Sequence, residues 1–355
     1  MKNKILFIGR FSPPVHGAAV MNQNYLDGLK TKKEFIVEGI KVNYSTTIAD
    51  IGGISIMKFV GIFITFFRLL VSLLVFRPNL VYFEIAPNRL AFYRDSLFVI
   101  LCKIFRRKII FQIHARNLVK NRYSKFILKN TKMIILSNML FDEVGKLFDK
   151  KEVYVLPNGI KDELSNGEFE DILRKRKNNK VLNVLFLSNM IESKGAMDAL
   201  KMCKMIDGKI KFKCYFAGPW QNEVYKKKWF DYIDKNGLKD ECTYLGPKYG
   251  KDKKELLSKT DIMLFPSKYE NESFPLVILE AFMYGIPVLT YDNGAISEMV
   301  SKNYLGVVVE KGDWNTLSKR IDFKFDSKKI REHFLKNYEL NKAVNKLTKI
   351  IRKEL

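Results

Sequence analysis

Residues 265–300 read FPSKYENESFPLVILEAFMYGIPVLTYDNGAISEMV. The stretch sets two carboxylates, Glu272 and Glu280, eight positions apart around a helix start. Ser273 has the chemistry of an N-cap, and Pro275 fits the first helical turn, where its missing N–H would have had no partner. The apolar run Leu276, Val277, Ile278 and Leu279 carries the helix toward Gly285, a C′ residue, with Pro287 beyond it. Glu272 then lies on the loop ahead of the helix and Glu280 within it. The unpaired amides and positive dipole end of such a helix suit a phosphate. Carboxylates accept from hydroxyls, so two of them beside an anion site suggest a nucleotide joined to a sugar. Two ordinary solvated glutamates on a helix give the same local pattern, and the choice needs residues outside this stretch.

The stretch resembles the E-x7-E signature of retaining GT-B glycosyltransferases, specifically glycosyltransferase family 4. Pro266, Ser267, Glu272, Phe274, Glu280, Ala281, Gly285, Pro287, Val288, Gly294 and Glu298 carry the resemblance. It implies an α/β GT-B fold: two doubly wound Rossmann-like domains facing each other across a cleft. It also implies that Glu280 holds the ribose hydroxyls of a nucleotide-sugar donor of UDP or GDP type. Glu272 and the residues after it, Ser273, Phe274, Pro275 and Leu276, would hold the transferred sugar and the diphosphate.

Bulk properties are compatible with this. The chain has 355 residues, 47% of them hydrophobic, enough for two domains with cores of their own. Lys and Arg number 62 against 38 Asp and Glu, a net charge of +24 that favours acidic partners: nucleotides, nucleic acid or an anionic membrane surface. Cys102, Cys203, Cys214 and Cys242 show no close pairing and read as reduced residues of a cytoplasmic protein. The start, MKNKILFIGRF, is too short in apolar residues for a secretory signal and reads as a first strand.

Strand-like runs at 5–9, 80–83, 109–113, 133–136 and 153–156 alternate with helix-length segments, the βαβ pattern of a doubly wound sheet. Residues 161–180 are polar and charge-dense and read as an interdomain linker. A second series follows at 181–187, 213–217, 242–245, 262–265, 287–290 and 306–309. The expected domains are therefore an acceptor-side domain over residues 1–165 and a nucleotide-sugar domain over 166–329. The resemblance implies that a final helix, at about 330–355, returns to the first domain.

Further candidates lie where loops leave strands. Lys194, between a strand and a helix, can neutralise a diphosphate at the carboxyl edge of a sheet. A solvated lysine is the plain alternative, but with Gly195 it resembles the family's G-R-x-x-x-x-K-G. Ser188 and Asn189 stand in place of Gly-Arg, so Asn189 can donate a hydrogen bond but brings no charge. Gly17, in the loop after the first strand, would let backbone approach the donor phosphates; a tight turn is the alternative. His16 beside it is a lesser candidate. His114, a catalytic candidate, closes the strand IIFQIH and stands either at the ligand crevice, where the family often has a His that contacts the donor sugar or shapes the acceptor site, or as a satisfied structural histidine. No D-x-D and no metal-ligand cluster occurs, so neither cofactor nor metal is expected.

The expected activity is transfer of a hexose, with retention, to a hydroxyl of a lipid-linked or polysaccharide acceptor in bacterial surface-glycan synthesis. A non-catalytic GT-B scaffold or a nucleic-acid-binding protein is the rival; the first would be expected to lack one of the two glutamates, and no nucleic-acid motif occurs for the second. Residues 54–76 are almost wholly apolar, with Lys58 and Arg68 the charged interruptions, and 96–140 carry many basic residues and no acidic one. Together they predict peripheral attachment to the inner face of an anionic membrane. Arg68 makes a full span costly, and a core helix would also explain the apolar run.

Overall fold

Each apolar run fills one strand of two parallel sheets in the computed structural model, which describes residues 2–11, 17–42, 56–87, 89–321 and 324–355, without the side chains of 56–58 and 89. The chain divides into two units, Met1–Gly159 with Leu340–Leu355, and Ile160–Glu339.

The first unit contains β1 (Asn3–Gly9), α1 (Gly17–Lys30), β2 (Phe35–Lys41), α2 (Ile56–Val71, continued by a π-turn at Ser72–Phe76), β3 (Leu80–Glu84) and α3 (Arg89–Ile104). It continues with β4 (Lys108–Gln112), α4 (Arg122–Leu128), β5 (Lys132–Ile135) and β6 (Val153–Val155). The sheet order is β2-β1-β3-β4-β5-β6, all parallel. β3 is buried along its whole length, as a strand covered on both faces must be, whereas β2 at the edge is mostly solvated. Right-handed crossovers put α2, α3 and α4 on one face of this sheet and α1 on the other.

The second unit contains α5 (Asn166–Asn178), β7 (Leu182–Leu187), α6 (Ala196–Ile206), β8 (Phe212–Ala217), α7 (Glu223–Asn236), β9 (Cys242–Tyr244) and α8 (Gly250–Lys259). Then come β10 (Ile262–Phe265), α9 (Leu276–Met283), β11 (Val288–Tyr291), α10 (Ile296–Met299), β12 (Gly306–Val309), α11 (Trp314–Ser318) and α12 (Ser327–Asn337). Its order, β12-β11-β10-β7-β8-β9, reverses direction between β7 and β10. The last helix, α13 (Leu340–Glu354), belongs to the first unit.

Two boundaries differ from the sequence reading. Residues 161–180 are mostly helix rather than linker, because Ser165 and Glu168 form a reciprocal capping box and Phe169 and Ile172 are buried. Arg176 on α5 then donates to the carbonyls of Leu257, Ser258 and Tyr284 at 2.8, 3.1 and 2.9 Å, satisfying the carboxyl ends of α8 and α9. The returning segment also starts later, at Leu340 rather than about 330. α12 stays with the second unit because Arg331, 3% exposed, donates to both Asp162 oxygens (3.1 and 2.8 Å) and to the carbonyls of Met283 and Leu164 (both 2.8 Å). α13 packs on α1, with Val344 over Gly28, where any β-carbon would come within 2.6 Å. Arg352–Glu34 and Lys32–Asn345 hydrogen bonds, each 2.8 Å, flank that contact.

Arg331→Met strips its partners of a buried charge-assisted network, so the urea midpoint should fall by the equivalent of about 3 kcal/mol. Lys329→Ala, on the exposed side of the same helix, should stay within about 0.5 kcal/mol.

Candidate functional site

In an open parallel sheet the loops leaving neighbouring strands diverge where the strand order reverses, and ligands bind in the crevice they leave. In the second unit this point lies beyond the carboxyl ends of β7 and β10, which pair through Ile262↔Val184 and Met263↔Leu185. The loop after β7 carries Asn189 and Lys194; the loop after β10 carries Ser267, Glu272 and Ser273. The loops touch through backbone. Gly195 has φ +87° and sits so close to Pro266 that a β-carbon would lie 2.1 Å from the Pro266 carbonyl oxygen. The Lys268 amide donates to the Ser193 carbonyl at 2.7 Å.

This contact brings Lys194 and Glu272 together. The Lys194 ammonium donates to Glu272 Oε2 at 2.6 Å and lies 4.5 Å from the centre of the Tyr269 ring. The Ser267 hydroxyl donates to the same carboxylate oxygen at 2.9 Å, and Glu272 as a residue is only 7% exposed. Gly294 (φ +59°) approaches the Glu272 carbonyl from beneath, at 2.3 Å from where a β-carbon would stand. Asn293 beside it donates to the carbonyls of Ser267 and Tyr269 at 3.2 and 2.9 Å. On the other flank Asp198 accepts from Lys268 and Tyr291, both at 2.9 Å, joining α6, the loop after β10 and the end of β11. Burial first, then the Asp198 charge, pushes the Tyr291 hydroxyl's pKa up, so it stays a donor.

α9 starts two residues later than a Ser273 cap would place it. Pro275 (φ −69°, ψ 117°) is the residue before the helix, and Ser273 donates to the Asn271 carbonyl at 3.4 Å instead of capping. Proline disfavours the helical region for the residue before it, which keeps Phe274 out of the helix, and with Pro275 itself extended Leu276 begins it. The first bond of the turn runs from the Ile278 amide to the Pro275 carbonyl, which leaves the Leu276 and Val277 amides at the positive end. The Phe274 side chain is 8% exposed and faces Tyr338, with ring centroids 6.1 Å apart, so it packs the unit.

Glu280 does not meet Lys194. Lys253 on α8 donates to its Oε1 at 2.6 Å, while Oε2 is buried with no hydrogen-bond partner among the described residues, an acceptor left for a hydroxyl. The sequence reading did not single out Lys253, Asn293 or Asp198, and it placed Ser267 in the motif without giving it a role of its own. Lys253 lies in the charge-dense run KDKKE, where nothing separates it from its solvated neighbours.

The first unit has its own reversal point, between β1 and β3. Glu84, closing β3, is fully buried and accepts from the Arg10 amide at 2.8 Å, from the Arg10 guanidinium and from Asn22. Burial alone would raise the Glu84 carboxyl, but Arg10, with a smaller contribution from His114, outweighs it and holds its pKa below the usual carboxylate range. His114 thus sits near Glu84, just beyond β4 and half-buried. Gly17 opens α1 and is exposed. Residues 13–16, including His16, lie outside the described residues. Among the described residues no group of three or more His, Cys, Asp or Glu could hold a metal ion.

The glycosyl transferases group 1 family matches residues 168–340, the span that contains the Lys194–Glu272 pair, α9 and Glu280. Those residues, just under half of the chain, are similar to this family. Amylovoran biosynthesis glycosyltransferase AmsK of Erwinia amylovora is 22% identical over 61% of this chain and 54% of its own length. A glycosyltransferase from Rickettsia africae ESF-5 superposes on 99% of the chain and 98% of its own, with TM-score 0.79 and 18% identity. HepE of Anabaena, in complex with UDP, covers 99% of this chain and 100% of its own with TM-score 0.72 and 14% identity. Both solved structures establish the GT-B fold. The chain spans about half or less of the length of the first curated relatives it matches.

Gly195→Ala would drive a methyl into the Pro266 carbonyl and force the two loops apart. Stability should fall by about 2 kcal/mol in chemical denaturation, with the Lys194–Glu272 geometry lost in a crystal structure of the variant.

Proposed function

We propose that the chain is a retaining, metal-independent hexosyltransferase of bacterial surface-polysaccharide synthesis. It takes its sugar from a UDP- or GDP-linked donor and delivers it to a hydroxyl of a lipid-linked glycan at the cytoplasmic face of the membrane. The observation that carries the reading is the convergence of Lys194, Glu272 and the amino end of α9 at the strand-order reversal of the second unit, with Glu280 one turn further along α9. A cation, free amides and a helix dipole receive a diphosphate there, and carboxylates receive sugar and ribose hydroxyls. Amylovoran biosynthesis in one relative and bound UDP in one structural neighbour support polysaccharide and nucleotide chemistry.

In this reaction the bond between the anomeric carbon and the diphosphate oxygen breaks, and a bond from that carbon to the acceptor oxygen forms. The acceptor proton passes to an oxygen of the departing diphosphate, so no separate strong base is required. Negative charge grows on the leaving group as the bond breaks, and Lys194 with the Leu276 and Val277 amides is placed to stabilise it. Lys194 is paired with Glu272. An arriving diphosphate competes for the ammonium, freeing Glu272 to accept from hydroxyls of the transferred sugar. Asn189 brings no second cation, which leaves Lys194 as the main charge on the phosphates. In the first unit, His114 and the Gly17 end of α1 are assigned to the acceptor and phosphate side.

Glu272→Ala should lower kcat at least tenfold, corresponding to one charge-assisted hydrogen bond of about 1.5–3 kcal/mol, while Glu280→Ala mainly weakens nucleotide binding. Steady-state kinetics across a panel of UDP- and GDP-sugars checks both; unchanged kinetics in the two variants would refute the site. Lys194→Ala should weaken nucleoside diphosphate in calorimetry far more than the nucleoside. Asn189→Arg should bind the diphosphate at least as tightly as the parent protein.

A further inference from the structure

We propose that the first unit docks on an anionic lipid surface through the outward faces of α2, α3 and α4, lying on the bilayer rather than crossing it. The inference rests on the lipid-linked acceptor proposed above and names the part of the chain that reaches it.

α2 and its π-turn are long and apolar enough to cross a membrane by length and composition, over Phe59–Phe76. Their packing forbids it. Leu69 and Leu73 are buried, Ser72 donates to Glu38 on β2, and the chain turns at Arg77, whose amide donates to the Ser72 carbonyl. The Asn79 amide then bonds the Lys4 carbonyl and leads straight into β3. One side of this helix therefore belongs to the sheet. The other is bare: Phe59, Phe63, Phe67, Val71 and Val75 recur every four residues, with Phe63 64% and Val75 75% exposed. A soluble core helix buries such a ridge.

The neighbouring helices continue this face. α3 presents Leu90, Tyr93, Leu97 and Ile104, and Tyr93 meets Tyr123 of α4 with ring centroids 5.4 Å apart. α4 also exposes Phe126, at 67%, and interleaves its rings with Arg122, Lys125 and Lys129, none of which has an acidic partner among the described residues. Not every basic residue of 96–140 is free to meet a lipid surface. Lys108 is hydrogen-bonded to the carbonyls of Glu354 and Leu355 at 2.9 and 3.0 Å, and Arg107 is half-buried.

Exposed rings flanked by unpaired cations suit a headgroup region, where the rings enter the acyl boundary and the cations meet phosphate. Arg68, exposed on α2, can reach outward in the same way. Nucleic acid would leave the apolar ridge of α2 unsatisfied. A second copy would bring the same acid-free basic helix into the contact from both sides.

Co-sedimentation of the full chain with vesicles of phosphatidylcholine alone, and with added phosphatidylglycerol, tests the proposal. Binding should require phosphatidylglycerol and weaken with salt. Phe63→Ser with Phe67→Ser, and separately Arg122→Ser with Lys125→Ser and Lys129→Ser, should each reduce it at least about tenfold. These side chains are exposed, so both variants should keep the parent melting temperature and nucleoside diphosphate affinity. No binding, equal binding to both vesicles, or unaltered binding by either variant would overturn the proposal. So would light scattering that finds a dimer dissolved by the phenylalanine changes. Vesicle binding without nucleoside diphosphate binding would instead overturn the proposed function and leave this face standing.

Discussion

The 2.6 Å contact between Lys194 and Glu272 is the constraint around which the second unit is arranged. Taking two charges out of water is expensive, and attraction between them repays the cost only when further hydrogen bonds satisfy what remains. Ser267 supplies one, on the oxygen that Lys194 already holds. The pair also requires two loops from different strands to stay in register. Gly195 against Pro266 and Gly294 against Glu272 are backbone approaches that no side chain permits. Asn293 and the Lys268–Asp198–Tyr291 chain then fix the loop after β10 from both flanks.

The second unit was largely legible in its sequence. β10 and β11 are wholly buried apolar runs, β7 and β8 are largely so, and all six strands fall within a residue or two of where the pattern puts them. In the first unit β2 escaped. Its pattern, FIVEGIK, is that of a solvated edge strand interrupted by Gly39, so it lacks the continuous apolar run that marks the others. Residues 166–178 read as linker because only Phe169 and Ile172 face inward; charge density hid a capped helix.

Within the site, legibility followed how much a residue's local sequence says about its surroundings. Glu272, Lys194 and Glu280 stand out because a helix start and a strand end flank them. Lys253 and Asp198 are surrounded by ordinary helical positions, and only tertiary folding brings them to Glu280 and Lys268. Glu84 is the instructive miss. It closes VYFE as His114 closes IIFQIH, and the argument made for the histidine applies equally to the carboxylate. Conversely, Ser273 had the right chemistry for a cap, but the proline two residues on dictates backbone geometry that overrides it.

The return of α13 to α1 has a consequence for how the molecule comes into being on the ribosome. Val344 completes a surface begun at Gly28, so the earliest helix of the chain waits for almost the last residues before its outer side is covered. The second unit, Ile160–Glu339, is contiguous and can close as soon as it emerges. The half of the protein made first is therefore finished last. Until residues 340–355 emerge, the outer side of α1 stays uncovered, and a chain truncated before Leu340 would carry an incomplete first unit beside a whole second one, which chaperones and proteases can recognise.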